Sequence, residues 1–254
     1  MPPLVTPAIP AAKHWLGDKA LWWLARWSLG RAFHAVWGQT LGPLPDRQQG
    51  PIIFYATHPG WWDGYMLMTV HRMLLGERFD SYLMMEEKQL RAYRFFTWCG
   101  TFSVNRHDPA EVTRSVDEIS ALLRERRDRA LYMFPQGRML HPDRRPVVLY
   151  PGIARVVQKV GTPLLCPLAF RYEFRGEQRP EAFIRFGPVH RAPANPDTDT
   201  LLADLTARLT ASSDALRAEV VSGNPRNFRL LLRGSAGIDR LFDALRRRPP
   251  RTIA

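Results

Sequence analysis

The sequence predicts an α/β fold, with a mixed, largely parallel central sheet flanked by helices, a helical segment at the N-terminus and further helices at the C-terminus. Short apolar runs of strand length ("PIIFYA", "SYLMM", "ALYMF", "TPLLCPLAF") alternate with stretches of helical length and period, the pattern of β-α units building a parallel sheet. A chain of 254 residues, 45% of them hydrophobic, can bury the core of one large α/β domain or of a domain with helical additions. Four polar clusters each follow an expected strand, and open α/β sheets gather their ligands at the carboxyl ends of strands.

Taken in order, the opening "MPPLVTPAIPAA" has no basic n-region and too many prolines for a signal-peptide core. It reads as a disordered leader. Residues 13–37 hold five of the eight tryptophans. Trp15, Trp22, Leu29 and Val36 recur every seven residues, while Leu16, Leu21, Trp23, Leu24 and Trp27 widen the apolar surface and Lys13, Lys19, Arg26 and Arg31 interrupt it. No run reaches 18 uninterrupted apolar residues, so a spanning helix is not expected. Tryptophan beside arginine suits the headgroup boundary, and the segment reads as a membrane-docking amphipathic helix rather than one packed wholly on the core.

"GPLPDRQQGP" is a loop of turn formers. Residues 51–57 form a buried strand, and "WWDGYMLMTVHRMLL" has helical length with Pro59 in its first turn. "SYLMM" is a strand followed by a helix to about residue 98; "TFSVNR" is a strand, and Pro109 opens an amphipathic helix. "ALYMF" is a strand ending at "PQGR", "PGIARVVQKVG" a short helix with a terminal glycine, and "TPLLCPLAFRYEF" and "AFIRFGPVHR" complete the strands. Residues 198–221 keep a helical period. From Pro225 to Arg248, Leu231, Ile238, Phe242 and Leu245 share a helical face among seven arginines, with Gly234 and Gly237 weakening it. Three segments are expected: 1–45 as leader and Trp-rich helix, 46–195 as the α/β core, and 196–254 as C-terminal helices with a basic amphipathic tail.

The formal charge of +12 calls for an anionic partner: a membrane surface, nucleic acid, or an acidic donor or substrate. No nucleic-acid-binding motif or aromatic–basic strand platform is evident, so nucleic acid is not expected. Cys99 and Cys166 lie outside any zinc or C-x-x-C spacing and read as buried free thiols. His107–Asp108 and His141 with Asp143 read as solvated polar residues, and no metal site is expected.

No G-x-S-x-G, P-loop, G-x-G-x-x-G or H-E-x-x-H occurs. The segment "THPGWWDG" places His58 five residues before Asp63. Five helical positions rotate about 140°, so the two can meet only if His58 stands outside the helix and the first turn returns Asp63 beneath it. A carboxylate on one imidazole nitrogen would fix the tautomer and leave the other nitrogen as a base. With no serine or cysteine nucleophile beside it, that base would act on a substrate hydroxyl.

"HPGWWD", the Gly-x5-Arg of "GTFSVNR", "FPQGR" and a proline within the apolar strand "CPLAF" follow in this order over roughly residues 50–190. Together they resemble the glycerolipid acyltransferase family, whose type member is 1-acylglycerol-3-phosphate acyltransferase. The resemblance implies that His58 is the general base and Asp63 its orienting carboxylate. It also implies that Gly100, Arg106, Phe134, Pro135, Gln136, Gly137, Arg138 and Pro167 line the substrate site. Arg106 would bind an anionic part of the acceptor, and Gly137 would let backbone approach the ligand. The donor would be acyl-CoA or acyl carrier protein, with no cofactor. The location would be the cytoplasmic face of a membrane, held peripherally by membrane lipids.

The third block departs from the family's Phe-Pro-Glu-Gly-Thr-Arg: Gln136 replaces the glutamate and the threonine is missing. A neutral amide suits hydroxyl groups, so the acceptor stays open between a lysophospholipid such as lysophosphatidate and a glycosylated lipid or carotenoid glycoside. A non-catalytic lipid-binding protein on the same scaffold is the alternative of another class.

Overall fold

The structure is a computed structural model that describes residues 6–235. In chain order it runs α1 (Trp15–Ala32), β1 (Ala35–Thr40), β2 (Ile52–Ala56), α2 (Asp63–Val70), β3 (Asp80–Glu86) and α3 (Glu87–Ala92). It continues through β4 (Thr101–Val104), α4 (Pro109–Glu125), β5 (Arg129–Met133), α5 (Gly152–Val160), β6 (Leu164–Glu173), β7 (Glu181–Phe186), β8 (His190–Arg191), α6 (Thr198–Val221) and β9 (Arg229–Arg233).

Every residue of β2 and of β5, and the first eight of β6, is buried. Strands covered on both faces read as continuous apolar runs, and these three lie side by side in the middle of the sheet. The strand order is β4-β3-β5-β2-β6-β7-β1-β9, with β8 on β6. From β4 to β6 all pairing is parallel; β7 then runs antiparallel to β6, and β9 antiparallel to β1. Alternation within each strand divides the core. Ile52, Phe54, Ala56, Tyr132, Cys166, Leu168 and Phe170 face α1 and α2, while Ile53, Tyr55, Leu131, Met133 and Leu165 face α4, α5 and α6. The mixed, largely parallel sheet is therefore as the sequence predicts, in a three-layer α/β/α arrangement.

Four sequence expectations are corrected. The helix of residues 13–37 stops at Ala32, and Val36 lies in β1, paired in parallel with β7 across 146 residues of chain. The tail expected as one basic helix instead makes β9, with Leu231 in a strand on β1; Ile238, Phe242 and Leu245 lie outside the described residues. A single sheet thus crosses both expected boundaries, at 45/46 and 195/196. The leader is ordered over residues 6–12: Ile9 is buried and exchanges hydrogen bonds with Ser103, its N–H donating to Oγ at 2.9 Å and its carbonyl accepting from the Ser103 N–H at 2.9 Å.

Helix α1 has two distinct faces. Gly17, Leu21, Ala25 and Leu29 are buried, while Trp15, Lys19, Trp23, Trp27 and Arg31 lie on the exposed side. Lys19 sits over the Trp15 ring and Arg31 over Trp27, at 5.0 and 5.1 Å from their centres. Among the described residues no helix is long and apolar enough to cross a membrane.

Candidate active site

Strand β2 ends at Ala56, and Thr57 fastens that end to β6. Its N–H donates to the Leu168 carbonyl and its Oγ1 accepts from the Phe170 N–H, each at 3.0 Å. His58 therefore leaves the sheet at a fixed point, at the carboxyl edge of the parallel strands. Pro59–Gly60 and the two tryptophans make the turn, and α2 begins at Asp63 rather than at Pro59, as the sequence had suggested. That late start carries Asp63 back beneath the imidazole: His58 Nδ1 and Asp63 Oδ2 are 2.6 Å apart.

Asp63 is completely buried. Three donors and a helix start offset that cost. The His58 ring and the Gly60 N–H, at 3.0 Å, share Oδ2, while the Tyr172 hydroxyl donates to Oδ1. Burial, then the Asp63 charge beside it, pushes the Tyr172 hydroxyl well above its ordinary pKa, so it stays a donor. With Nδ1 donating to the carboxylate, the partly exposed His58 presents Nε2 as an acceptor with no hydrogen-bond partner among the described residues. The ring lies flat on Phe134, 4.2 Å between centres.

The "FPQGR" loop holds the histidine's backbone. The buried Gln136 accepts from the His58 N–H through Oε1 at 3.3 Å, and the His58 carbonyl accepts from the Leu140 N–H at 2.9 Å. Pro135, also buried, accepts from the Tyr150 N–H at 2.8 Å. Gly137 has φ of +67°, and a β-carbon there would come within 2.9 Å of the Tyr150 ring. Glycine is required by both the turn and its neighbour. The Arg106 guanidinium, arriving from the end of β4, donates to the Gly137 carbonyl and lies 3.8 Å from Glu86. Arg138 is exposed beside it and has no hydrogen-bond or ion-pair partner among the described residues.

His58, Asp63, Arg106, Phe134, Pro135, Gln136, Gly137 and Arg138 thus gather at one edge of the sheet. Two expected residues do not join them. Gly100 opens β4 at the opposite edge, with φ of +92°, where a β-carbon would collide with the Ser81 carbonyl and the Lys13 side chain. Pro167 is buried inside β6, where its ring meets Gly187 and its carbonyl accepts from the Gly187 N–H at 2.8 Å. Gln136 changes role as well, since its amide oxygen is engaged by the protein's own backbone.

The sequence reading missed Tyr172. Its signal was period two: Cys166, Leu168, Phe170 and Tyr172 point to one face of β6, the face that carries α2.

A histidine fixed on a buried carboxylate, with Arg106 and Arg138 nearby and no serine or cysteine bonded to its ring among the described residues, is equipped to take a proton from a substrate hydroxyl. The sequence profile of the family described as Acyltransferase matches residues 42–171, just over half of the chain. The chain belongs to the acyltransferase family. Its fold is similar to the crystal structure of the 1-acyl-sn-glycerophosphate (LPA) acyltransferase PlsC from Thermotoga maritima, with a TM-score of 0.56 and 12% identity. The likeness covers 79% of this chain and 80% of that one, and at such identity it speaks for the fold alone. No curated protein sequence matches the chain. In this acyltransferase the family match contains both members of the His58–Asp63 pair and ends one residue before Tyr172. Among the described residues no group of His, Cys, Asp and Glu could hold a metal ion.

Proposed function

We propose that this acyltransferase moves a fatty acyl group from the thioester of coenzyme A or acyl carrier protein to the hydroxyl of a lysophospholipid, lysophosphatidate foremost, at a membrane surface. The observation that carries the reading is His58, fixed through Nδ1 on buried Asp63 with Nε2 open at the sheet edge. As the acceptor oxygen attacks the thioester carbonyl, its proton passes to Nε2. When the tetrahedral intermediate collapses, the carbon–sulfur bond breaks and the imidazolium returns the proton to the leaving thiolate. The products are one ester and one free thiol, and no acyl-enzyme forms. Asp63 stabilises the transient imidazolium.

Exposed, unpartnered Arg138 and half-exposed Arg106 favour an acceptor bearing phosphate, which a guanidinium grips in a fork. The glycosylated acceptor loses its support from Gln136, whose oxygen faces His58. The tryptophan face of α1 favours peripheral attachment, on the cytoplasmic side where acyl thioesters are found. No cofactor is needed for this chemistry.

The test is direct. Purified protein is given labelled acyl-CoA or acyl carrier protein with lysophosphatidate, lysophosphatidylcholine or a glycosylated lipid. Products are identified by mass spectrometry and released thiol is counted. One thiol per diacyl phospholipid supports the reading; ester only on the glycosylated lipid moves the acceptor, and thiol without ester removes the transfer.

A further inference from the structure

We infer that Tyr172 is a positioning residue for the transfer reaction: its hydroxyl holds the Asp63 carboxylate so that Oδ2 faces His58 and tempers how strongly that carboxylate holds the imidazole proton. The inference rests on the reading of His58 as base.

Four observations converge. The Tyr172 hydroxyl donates to Asp63 Oδ1, the one carboxylate oxygen that neither His58 nor Gly60 reaches. Without that donor the oxygen would be left unpaired in a site with no exposure, and a buried unpaired charge is among the costlier defects in a protein. A carboxylate free to turn could trade Oδ1 for Oδ2 and lose the 2.6 Å alignment with the ring. The turn is also shaped around this side chain, since a β-carbon at Gly60 would stand 3.0 Å from Tyr172 Cε2. Finally, the Tyr172 ring packs on Phe33, the residue that caps α1, 5.5 Å between centres, so its position is also supported from outside the catalytic loop. Strand β6, which carries Tyr172, and the residue capping α1 thereby support the far side of the pair.

The chemical consequence has a sign. Each hydrogen bond donated to a carboxylate withdraws electron density and makes it less basic. With the Tyr172 donor removed, Asp63 pulls harder on the Nδ1 proton, His58 is protonated more easily, and Nε2 is unavailable as a base up to a higher pH.

The test is the pH profile of kcat/KM for Tyr172→Phe, which keeps the ring and its packing. A fall of roughly tenfold or more in kcat is expected, with KM within about twofold and the acidic limb displaced by about half a pH unit or more to higher pH. In an Asp63→Asn background, adding Tyr172→Phe should cost little more, because the hydroxyl acts only through the carboxylate. Should Tyr172→Phe fail to fold, 3-fluorotyrosine at position 172 takes its place. It is a stronger donor of nearly the same shape, and it must move the acidic limb the opposite way, to lower pH. An unmoved limb, or a full multiplicative loss in the double variant, overturns the inference. His58→Ala is run alongside: if it keeps its activity, the reading of His58 as base has failed, whatever Tyr172 does.

Discussion

At the scale of single residues, the site divides into a base and the groups that hold it. His58→Ala should reduce transfer to background, because it removes the imidazole whose open Nε2 is the proposed proton acceptor; turnover above a few per cent of wild type would remove the mechanism. Asp63→Asn should cost on the order of 10⁴-fold, since the amide can no longer hold the productive tautomer and charge. Gly60→Ala is more discriminating. Its new methyl would press on Tyr172 Cε2 at 3.0 Å, so kcat should fall about tenfold while KM holds, as expected when a catalytic group is displaced by tenths of an ångström. Unchanged kcat would mean that the Tyr172 ring yields without disturbing Asp63. The pair itself was legible in the sequence, because a histidine before Pro-Gly and a carboxylate five residues on have few ways to meet. Tyr172 was not, because 109 residues separate it from Asp63 and only the strand register brings them together. Gln136 shows a subtler limit. Its position was read correctly but its oxygen points to backbone, and nothing in a residue's identity tells which partner it will find.

At the scale of elements, local patterns were readable wherever the sheet did not overrule them. Residues 198–221 keep one period throughout and form α6 over that same span. Residues 35–40 and 229–233 failed for a common reason. Each pairs with a distant strand, β1 with β7 and β9 with β1, and strand formation depends on such neighbours more than on intrinsic preference. The heptad of Trp15, Trp22, Leu29 and Val36 was likewise misleading, since Trp15 is 65% exposed while Leu29 is completely buried. The true division puts Trp15, Trp23 and Trp27 outward together. An exposed tryptophan trio braced by Lys19 and Arg31 contributes little to the fold. Replacing all three with serine should therefore leave the melting temperature nearly unchanged while weakening vesicle binding by roughly tenfold per ring, the scale of burying a large apolar side chain. Co-sedimentation with anionic vesicles measures it, and undiminished binding would place the attachment on another surface.

For the whole molecule, one buried histidine that the reaction does not use helps to join the layers. His71 opens the wide π-helical turn, residues 71–75, that continues α2, and it is almost fully buried between helix and sheet. The Phe79 carbonyl can only accept, so Nε2 carries the proton and donates to it at 3.0 Å, while Nδ1 accepts from the Tyr132 hydroxyl at 2.8 Å. Tyr132 belongs to central strand β5 and Phe79 to the residue just before β3. One neutral imidazole thus links α2 to two strands. Burial above all pulls its pKa from the ordinary 6.5 down to about 4, because charging it would strand both a proton and the tyrosine's hydrogen bond. The folded value lies below the unfolded one, so between these limits the unfolded chain binds the extra proton. Stability is therefore full above about pH 6.5 and declines as pH falls toward 4, by an amount on the order of 3 kcal/mol. Urea denaturation of the wild type should show its midpoint dropping across this window. His71→Gln should begin less stable at pH 7 and lose less on acidification, because its amide has no proton to gain. Carboxylates titrating in the same range contribute to both proteins, so the difference between the two slopes isolates the histidine. Equal slopes would show that His71 is charged in the fold as readily as in the unfolded chain, and would move the acid sensitivity to the ion pairs.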